Sequence, residues 1–355
     1  MKHTFMVCPV SGTNTGTMVF DCLEGLDVYD KIVTSDIYAF SYAAHISEHF
    51  HVLPMASTEA FLPRLLEVVE AEGVQVLIPG SDWELKKIAA HRDAFTARGV
   101  GLLINSDAVL RIGFDKKATA DFLRDHGFLF PRTAAVSPDD LASLAGLRRA
   151  VLDSLDYPFL LKPNLVTGGS ANILAVQDDA DLRAFQERYA ASGMHFVAQQ
   201  YVGSPDEEYT LGVMSDTRGK VISSFALRRD LSTPRTRKLS VPRKDGKGRD
   251  IVVSGNLTQG YVDDFPQLRR VAEDMAVALD SRGPLNIQCR LTDAGVSVFE
   301  INPRFSGTTS IRAAMGHNDV ELVYNAVVNG INMGQQPYRR GTAIRGQKVV
   351  VRTGP

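Results

Sequence analysis

The sequence predicts a mixed fold, an α/β region followed by an α+β region, and three observations indicate it. Apolar strands alternate with helical segments over roughly the first hundred residues. Later strands come in pairs joined by short turns, which is typical of antiparallel hairpins. A hydrophobic content of 44% in 355 residues is enough to build the cores of two or three domains.

The first region consists of predicted strands that are separated by helical segments. Because strands that alternate with helices usually pair in parallel, we predict a parallel sheet flanked by helices. Asn105-Ser106-Asp107 can cap a following helix, so we place the boundary of this region at residue 105. The predicted strands are 4–10, 31–34, 74–78 and 100–104, and a helix is predicted over 17–26.

The second region begins with a predicted helix over 108–127 and continues with hairpins. A helix over 178–191 is predicted because Leu182, Phe185 and Tyr189 recur at helical spacing. Further helices are predicted at 265–280 and 319–328, strands at 159–162, 196–202, 209–213 and 221–227, and a long basic loop at 228–249.

One predicted hairpin carries polar side chains on one face and apolar side chains on the other. Its strands flank a short turn at Asp293-Ala294-Gly295. Gln288 and Glu300 each lie six positions from the middle of the turn, so they should face each other, and Asn286 and Asn302 form the next pair. The opposite face is predicted to be dry and consists of Ile287, Cys289, Leu291, Phe299 and Ile301.

This polar quartet indicates a metal site. A carboxylate and three amides supply hard oxygen ligands, which can hold Mg²⁺ while the ion keeps waters and shares substrate phosphates. The alternative is an ordinary solvated sheet face, but such a face usually carries Lys, Glu and Thr.

Two motifs suggest other chemistries. Gly12 and Gly16 follow a strand and open a helix, with Asp36 about twenty residues on, which is similar to a dinucleotide-binding fingerprint. The G-x-G pair is missing, so a tight turn or a small-molecule subsite is preferred, and an NAD(P)-dependent dehydrogenase is an alternative function. His45 and His49 match an inverted zinc-protease motif, but a solvated helix face is the preferred interpretation.

Two loops indicate anion binding. Gly168-Gly169-Ser170 follows the strand that carries Lys162, and such a loop can close over phosphates, although a plain turn explains it equally well. Ser306-Gly307-Thr308 leads into a helical segment and could cradle an anion on backbone amides. The basic loop could contact nucleic acid, but it interleaves no stacking aromatics, and we prefer ordering over an anionic ligand.

Composition narrows the class of protein. The net charge of -2 argues against a general nucleic-acid binder. Three cysteines without a close pair exclude a CxxC metal knuckle and favour a reducing, cytoplasmic location. No apolar run approaches the length of a membrane span, so no membrane partner is expected.

Taken together, these features resemble the ATP-grasp superfamily, in particular carbamoyl phosphate synthase large chains and single-chain amino-acid ligases. The resemblance rests on Glu300-Ile301-Asn302-Pro303-Arg304 with Gln288 on the partner strand. It extends to Phe114-Asp115-Lys116, to Gln199-Gln200-Tyr201-Val202 and to Ile78-Pro79-Gly80-Ser81-Asp82-x-Glu84. It implies a Rossmann-like pre-ATP-grasp domain over 1–105 and an ATP-grasp domain over 106–355, with a lid subdomain at about 131–200 and a catalytic subdomain at about 201–355.

The resemblance also implies a function and a set of roles. It implies an ATP-dependent carboxylate–amine ligase acting on small molecules through an acyl phosphate, with ATP and Mg²⁺, or Mn²⁺ in its place, and a homodimer as a common assembly of relatives. A non-catalytic nucleotide-binding protein is a further alternative. Gln200 departs from the glutamate usual in the adenine linker, yet its amide oxygen could still accept from adenine.

The implied and predicted roles fall into four groups. Nucleotide contacts are expected from Lys116, Lys162, Gly168, Gly169, Ser170, Gln200, Tyr201, Val202 and Glu208, and metal ligation from Gln288, Glu300 and Asn302. Catalytic roles are predicted for Arg304, Lys162 and Arg312, and substrate contacts for Asp82, Glu84, Ser306, Gly307, Thr308 and Arg312.

Overall fold

The computed structural model describes residues 2–165, 172–255 and 259–346. Within these ranges the chain forms a parallel sheet, a small antiparallel sheet, a large antiparallel sheet and a two-stranded ribbon. The predicted α/β and α+β regions are therefore confirmed. No helix among the described residues has the length and apolar character needed to cross a bilayer.

The first region is a five-stranded parallel sheet in the order β3-β2-β1-β4-β5. The sequence prediction missed β3, because this strand has only three residues and none of them is buried. The strands are β1 His3–Cys8, β2 Tyr29–Asp36, β3 Phe50–Val52, β4 Val76–Pro79 and β5 Gly101–Leu102. The helices are α1 Thr15–Glu24, α2 Tyr42–Ile46, α3 Phe61–Glu72, α4 Asp82–Ala89 and α5 Arg92–Thr96.

The start of α1 and the loop after β4 pack against each other through glycine at the carboxyl edge of this sheet. The N–H of Gly16 donates to the carbonyl of Gly80 at 3.1 Å. A Cβ on either residue would overlap the carbonyl oxygen of Pro9, so only glycine allows this approach. Gly16 of the fingerprint-like motif therefore has a packing role. His45 lies in α2 but His49 follows its end at Ile46, so the two histidines do not share a helix face.

Two helices connect the parallel sheet to the small sheet, α6 Asp107–Phe114 and α7 Lys116–Asp125. They were predicted as one helix, but Asp115 has extended backbone (φ -118°, ψ 115°) and its side chain accepts from the N–H of Ala118. Asp115 therefore ends one helix and caps the next.

The small sheet is antiparallel, in the order β6-β9-β7-β8, and its helices α8, α9 and α10 share one core with it. The strands are β6 Thr133–Val136, β7 Phe159–Pro163, β8 Leu174–Val176 and β9 Phe196–Gln200. The helices are α8 Pro138–Leu141, α9 Leu144–Leu152 and α10 Asp179–Tyr189.

The large sheet has the order β16-β15-β10-β11-β14-β17, and β12 and β13 form a separate ribbon. The predicted loop over 228–249 is therefore partly wrong. Strand β12 alternates between exposed and half-buried residues, so it lacks the apolar signal of a buried strand. The strands are β10 Glu208–Ser215, β11 Val221–Arg229, β12 Arg237–Val241, β13 Ile251–Ser254, β14 Gln259–Val262, β15 Pro284–Thr292, β16 Gly295–Asn302 and β17 Gly341–Ile344. The helices are α11 Pro266–Ala278, α12 Thr309–Ala314 and α13 Asp319–Val328, with 3₁₀ turns at Pro205–Glu207 and Pro234–Thr236.

The parallel sheet and the large sheet are joined by a shared interior. One core cluster combines Val7 of β1 and Val19 of α1 with Val323 and Tyr324 of α13. Asn105, at the predicted boundary, is fully buried; its amide donates to Ser281 Oγ at 2.9 Å and its oxygen accepts from the N–H of Arg282 at 2.9 Å. The boundary is thus a buried, hydrogen-bonded connection.

Candidate functional site

A cavity lies between the small sheet and the large sheet, and most of the predicted site residues line it. Its wall carries five cationic side chains against three carboxylates, so an anionic ligand is favoured electrostatically. The predicted residues that line it are Asp82, Lys116, Lys162, Gln200, Tyr201, Val202, Glu208, Gln288, Glu300, Asn302 and Arg304.

The register of the polar hairpin is as predicted, since Gln288 pairs with Glu300 and Asn286 with Asn302. A bulge then shifts the register, because Cys289 pairs with Val298 and leaves Phe299 between. The prediction that Phe299 lies on the dry face is wrong. Its ring lines the cavity instead, 5.6 Å from the ammonium of Lys162.

The quartet divides into free and engaged oxygens. Gln288 and Glu300 face each other across the hairpin, and their side chains form no hydrogen bond with the described residues. The Asn302 oxygen accepts from Arg304 Nη2 at 3.1 Å and keeps a second lone pair. Asn286 is different, because its oxygen accepts from Thr210 Oγ1 and from Arg312 Nη2, each at 2.7 Å. Of the polar quartet, only the three residues named as metal ligands, Gln288, Glu300 and Asn302, have oxygen lone pairs to spare, and a carboxylate with two amides suits Mg²⁺.

Two lysines supply positive charge, Lys162 buried and Lys116 half-buried. Lys162 donates to Gln199 Oε1 at 2.7 Å, and burial lowers its pKa to about 8, although Glu300 opposes the shift. Burial also lowers the pKa of Lys116, again with Glu300 opposing. Neither ammonium group forms a salt bridge with a carboxylate of the described residues, so an anionic ligand would further favour the charged form of both lysines.

Glu208 is buried and only half satisfied. Its Oε2 accepts from Arg290 Nε at 3.1 Å and from Arg290 Nη2 at 3.0 Å. Its Oε1 has no hydrogen-bond partner among the described residues, and Arg229 Nη1 lies 3.7 Å from it. A buried carboxylate oxygen without a donor is costly, so this atom is suited to accept from ligand hydroxyls.

The predicted role of Gln200 is corrected. Its oxygen accepts from the N–H of Asp156 and from Arg132, each at 3.0 Å, and its amide nitrogen donates to the carbonyls of Asp156 and Pro158. The side chain therefore fixes the loop before β7 and has no oxygen lone pair to spare for adenine. Tyr201 lies under the Arg290 guanidinium at 4.5 Å.

A second cavity adjoins the first and lies between the parallel-sheet loops and the segment before α12. Asp82, Gln288 and Arg304 line both cavities, and Arg304 Nε donates to Asp82 Oδ1 at 2.7 Å. The predicted substrate residues Ser306, Gly307 and Thr308 line the second cavity, whereas Glu84 lines neither. Glu84 is buried and accepts a hydrogen bond from Ser81, so its predicted substrate contact is wrong.

The cradle that was predicted at Ser306-Gly307-Thr308 is largely satisfied within itself. The N–H of Ser306 donates to Thr309 Oγ1 at 3.0 Å, and the N–H of Thr308 donates to Ser306 Oγ at 3.1 Å. Two of its three amides are therefore not free for an anion, which weakens the prediction of a backbone cradle. Its side chains still present hydroxyl groups to the cavity.

Arg312 is not in either cavity, so its predicted catalytic and substrate roles are corrected. It is 1% exposed, and Nη1 donates to Asp319 Oδ2 at 2.7 Å. His317 Nδ1 contacts Asp319 Oδ1 at 2.9 Å, and despite burial these partners hold the pKa of Asp319 below its usual value. Because a guanidinium can only donate, its hydrogen bond to Asn286 holds the amide oxygen of Asn286 toward Arg312.

Two predictions remain, the glycine loop over phosphates and the basic loop over an anionic ligand. Gly168, Gly169 and Ser170 lie outside the described residues. The charges of the predicted basic loop are partly used on the protein itself, since Lys244 bonds to Asp178 and Asp181 at 2.8 Å each.

The cavity residues to which sequence reasoning gave no site role include Gln199, Arg229, Arg290 and Phe299. Arg290 follows Asn286 and Gln288 in the same alternation, so this signal was available. Arg229 was counted in the basic loop, although it is the last residue of a buried strand.

Comparisons with known proteins show which proteins this chain resembles. Residues 231–350 match a family model described as ATP-grasp in the biosynthetic pathway with Ter operon. The chain is 25% identical over 262 residues to the carbamoyl phosphate synthase large chain of Thermomicrobium roseum, a match that covers 72% of this chain and 22% of that protein. The chain therefore spans less than a quarter of that relative's length.

Solved structures show the same architecture. N5-carboxyaminoimidazole synthetase from Staphylococcus aureus, complexed with ADP, superposes with a TM-score of 0.69 at 12% identity, covering 95% of this chain and 81% of that one. An L-amino acid ligase from Bacillus licheniformis superposes with a TM-score of 0.60 at 16% identity, covering 92% and 75% respectively. At these identities the likeness establishes the fold.

Proposed function

We propose that this chain, which has the ATP-grasp fold, is an ATP-dependent carboxylate–amine ligase that forms an amide or peptide bond through an acyl phosphate. The observation that carries the proposal is the pair Gln288 and Glu300, which face each other across the hairpin on the wall of a cavity with excess positive charge, and whose side chains form no hydrogen bond with another described residue. Such a pair suits a divalent ion that accompanies a polyphosphate.

The nucleotide is proposed to lie between the small sheet, as a lid, and the large sheet. Lys116 and Lys162 would contact the phosphates, because both side chains line the cavity that Glu300 of the polar hairpin also lines. Glu208 Oε1 would accept from the ribose hydroxyls, which supplies the donor that it lacks. With the Gln200 side chain engaged, the adenine edge would be recognised by backbone at Tyr201 and Val202.

The metal is proposed to be Mg²⁺ or Mn²⁺, held by Gln288, Glu300 and Asn302. When bound, it would neutralise phosphate charge and align the polyphosphate.

The reaction is proposed to proceed in two displacements. A substrate carboxylate oxygen bonds to the γ-phosphorus while the bond from phosphorus to the β-phosphate oxygen breaks, and ADP leaves. The amine then bonds to the acyl carbon, the bond to the phosphate oxygen breaks, and inorganic phosphate leaves as the amine loses a proton. Arg304 borders both cavities, so its guanidinium is placed to stabilise the charge that develops between them.

The substrates are proposed to be an amino acid or small carboxylic acid and an amine. The second cavity supports a polar substrate, since hydroxyl and amide groups dominate its wall. Asp82 would meet an amino group there, competing with its ion pair to Arg304.

An ADP-release screen tests the proposal. Purified protein with Mg-ATP is assayed against pairs of amino acids and small carboxylic acids, and at least one pair should yield ADP, phosphate and a new amide. Glu300→Ala should abolish ADP formation with the fold retained, and Asp293→Ala, in the exposed turn of the same hairpin, should not. Turnover by Glu300→Ala, or no pair that releases ADP, would refute the proposal.

A further inference from the structure

Arg229 lies where the two cavities meet. It is the last residue of β11, its side chain lines both cavities, and it is 6% exposed. A group that passes from a nucleotide in the first cavity to a substrate in the second would pass this guanidinium.

The guanidinium is held rigidly by the end of β13. Nη1 donates to Ser254 Oγ at 3.0 Å, and Nη2 donates to the carbonyl of Gly255 at 2.5 Å. Two bonds to adjacent residues fix the plane of the fork, so little conformational freedom is left to lose when a ligand binds.

The same guanidinium is incompletely satisfied. Nε is buried and has no acceptor among the described residues. The closest approach to Glu208 is 3.7 Å, from Nη1 to Oε1, which is too long for a hydrogen bond. A buried N–H without an acceptor is disfavoured unless a ligand supplies one, and a cation beside it selects an anionic ligand.

The neighbouring arginine shows how a structural arginine looks in this strand. Arg228 is partly exposed, lies over the ring of Tyr261 at 4.8 Å and approaches Glu207 at 3.9 Å. It lines neither cavity. If Arg229 served only to hold β13 in place, its two Nη contacts would be enough. An unpaired N–H at the junction of two cavities would not be needed for that role.

From these observations we propose that Arg229 contacts the phosphoryl group during its transfer from ATP to the substrate carboxylate. The inference rests on the proposed function and adds a catalytic residue to it. The planar guanidinium offers N–H donors to the equatorial oxygens of the transferring phosphoryl group. Negative charge is spread over these oxygens in the transition state. Its contribution therefore belongs to transfer more than to nucleotide binding.

The test compares the binding of Mg-ADP alone with the binding of Mg-ADP plus aluminium fluoride, which mimics the group in transfer. In wild type, aluminium fluoride should tighten ADP binding. Arg229→Gln should leave the Kd for Mg-ADP within about threefold and reduce the tightening by about 30-fold or more. Arg228→Gln, the matched control, should change neither value.

The outcomes separate the two proposals. An equal loss with and without aluminium fluoride would make Arg229 a nucleotide anchor and overturn the inference, as would tightening that survives in Arg229→Gln or is absent in wild type. Wild-type protein that binds no Mg-ADP would overturn the proposed function itself. Should Arg229→Gln fail to fold, Arg229→Lys carries the test, because it keeps the charge but loses the planar fork, and the tightening should still fall about tenfold.

Discussion

The ammonium of Lys162 makes nucleotide affinity depend on pH in a defined direction. Burial lowers its pKa to about 8 in the free protein. About nine-tenths of the group is therefore charged at pH 7 and about one-tenth at pH 9. Because the proposed phosphate contact needs the charged form, the affinity is present below pH 8 and is lost as pH rises through it. The Kd for Mg-ADP should increase about tenfold from pH 7 to pH 9.

Isothermal titration calorimetry between pH 7 and pH 9.5 measures this dependence, in a range where the ADP phosphates are already ionised. Lys162→Arg should flatten the profile, because the guanidinium stays charged throughout. Lys117→Arg changes a more exposed lysine that is bonded to Asp121. In this control the Kd for Mg-ADP should increase with pH as it does in wild type. If the Kd of the wild-type protein does not change with pH, or if it still increases with pH in Lys162→Arg, then the lysine does not contact the nucleotide.

Two further predictions concern the interior. Gly212→Ala should lower the free energy of unfolding in urea by about 3 kcal/mol, because a Cβ there would overlap Arg312 Nη1 and break its buried ion pair with Asp319. Gly25→Ala is the control, since a Cβ there meets open space, and it should change the free energy of unfolding by less than about 0.5 kcal/mol. Equal effects would contradict this explanation. The second prediction concerns the three cysteines, Cys8, Cys22 and Cys289, which are all buried, and burial raises the pKa of each thiol. A thiol reagent should therefore label none of them in the native protein and all three after denaturation. Rapid labelling of the native protein would contradict this prediction.

Alternation explains why so much of the site could be predicted. The apolar face of the hairpin fixed the pairing of Gln288 with Glu300, and the ATP-grasp resemblance built on it is confirmed. The bulge at Phe299 was missed although the sequence marks it, because the core residues of β16 are Val296, Val298 and Ile301, which changes the phase of the alternation.

Long-range partners explain most of the errors. Arg312 follows a hydroxyl-rich segment, but the direction of its side chain is decided by Asp319 and by the space above Gly212. Gln200 was assigned from its place in a linker, whereas its hydrogen bonds come from residues more than forty positions earlier in the chain. Neither direction is encoded locally, so neither could be inferred without the fold.

The buried position of Asn105 has a consequence for how the molecule comes apart. A junction that is solvated and loosely held would let the two halves melt in separate steps. Here the side chain of Asn105 is bonded to residues near 281–284, and Val7 and Tyr324 share one interior across the junction. The parallel sheet and the large sheet should therefore unfold together, and a chain cut after this asparagine would leave two fragments that each expose apolar surface.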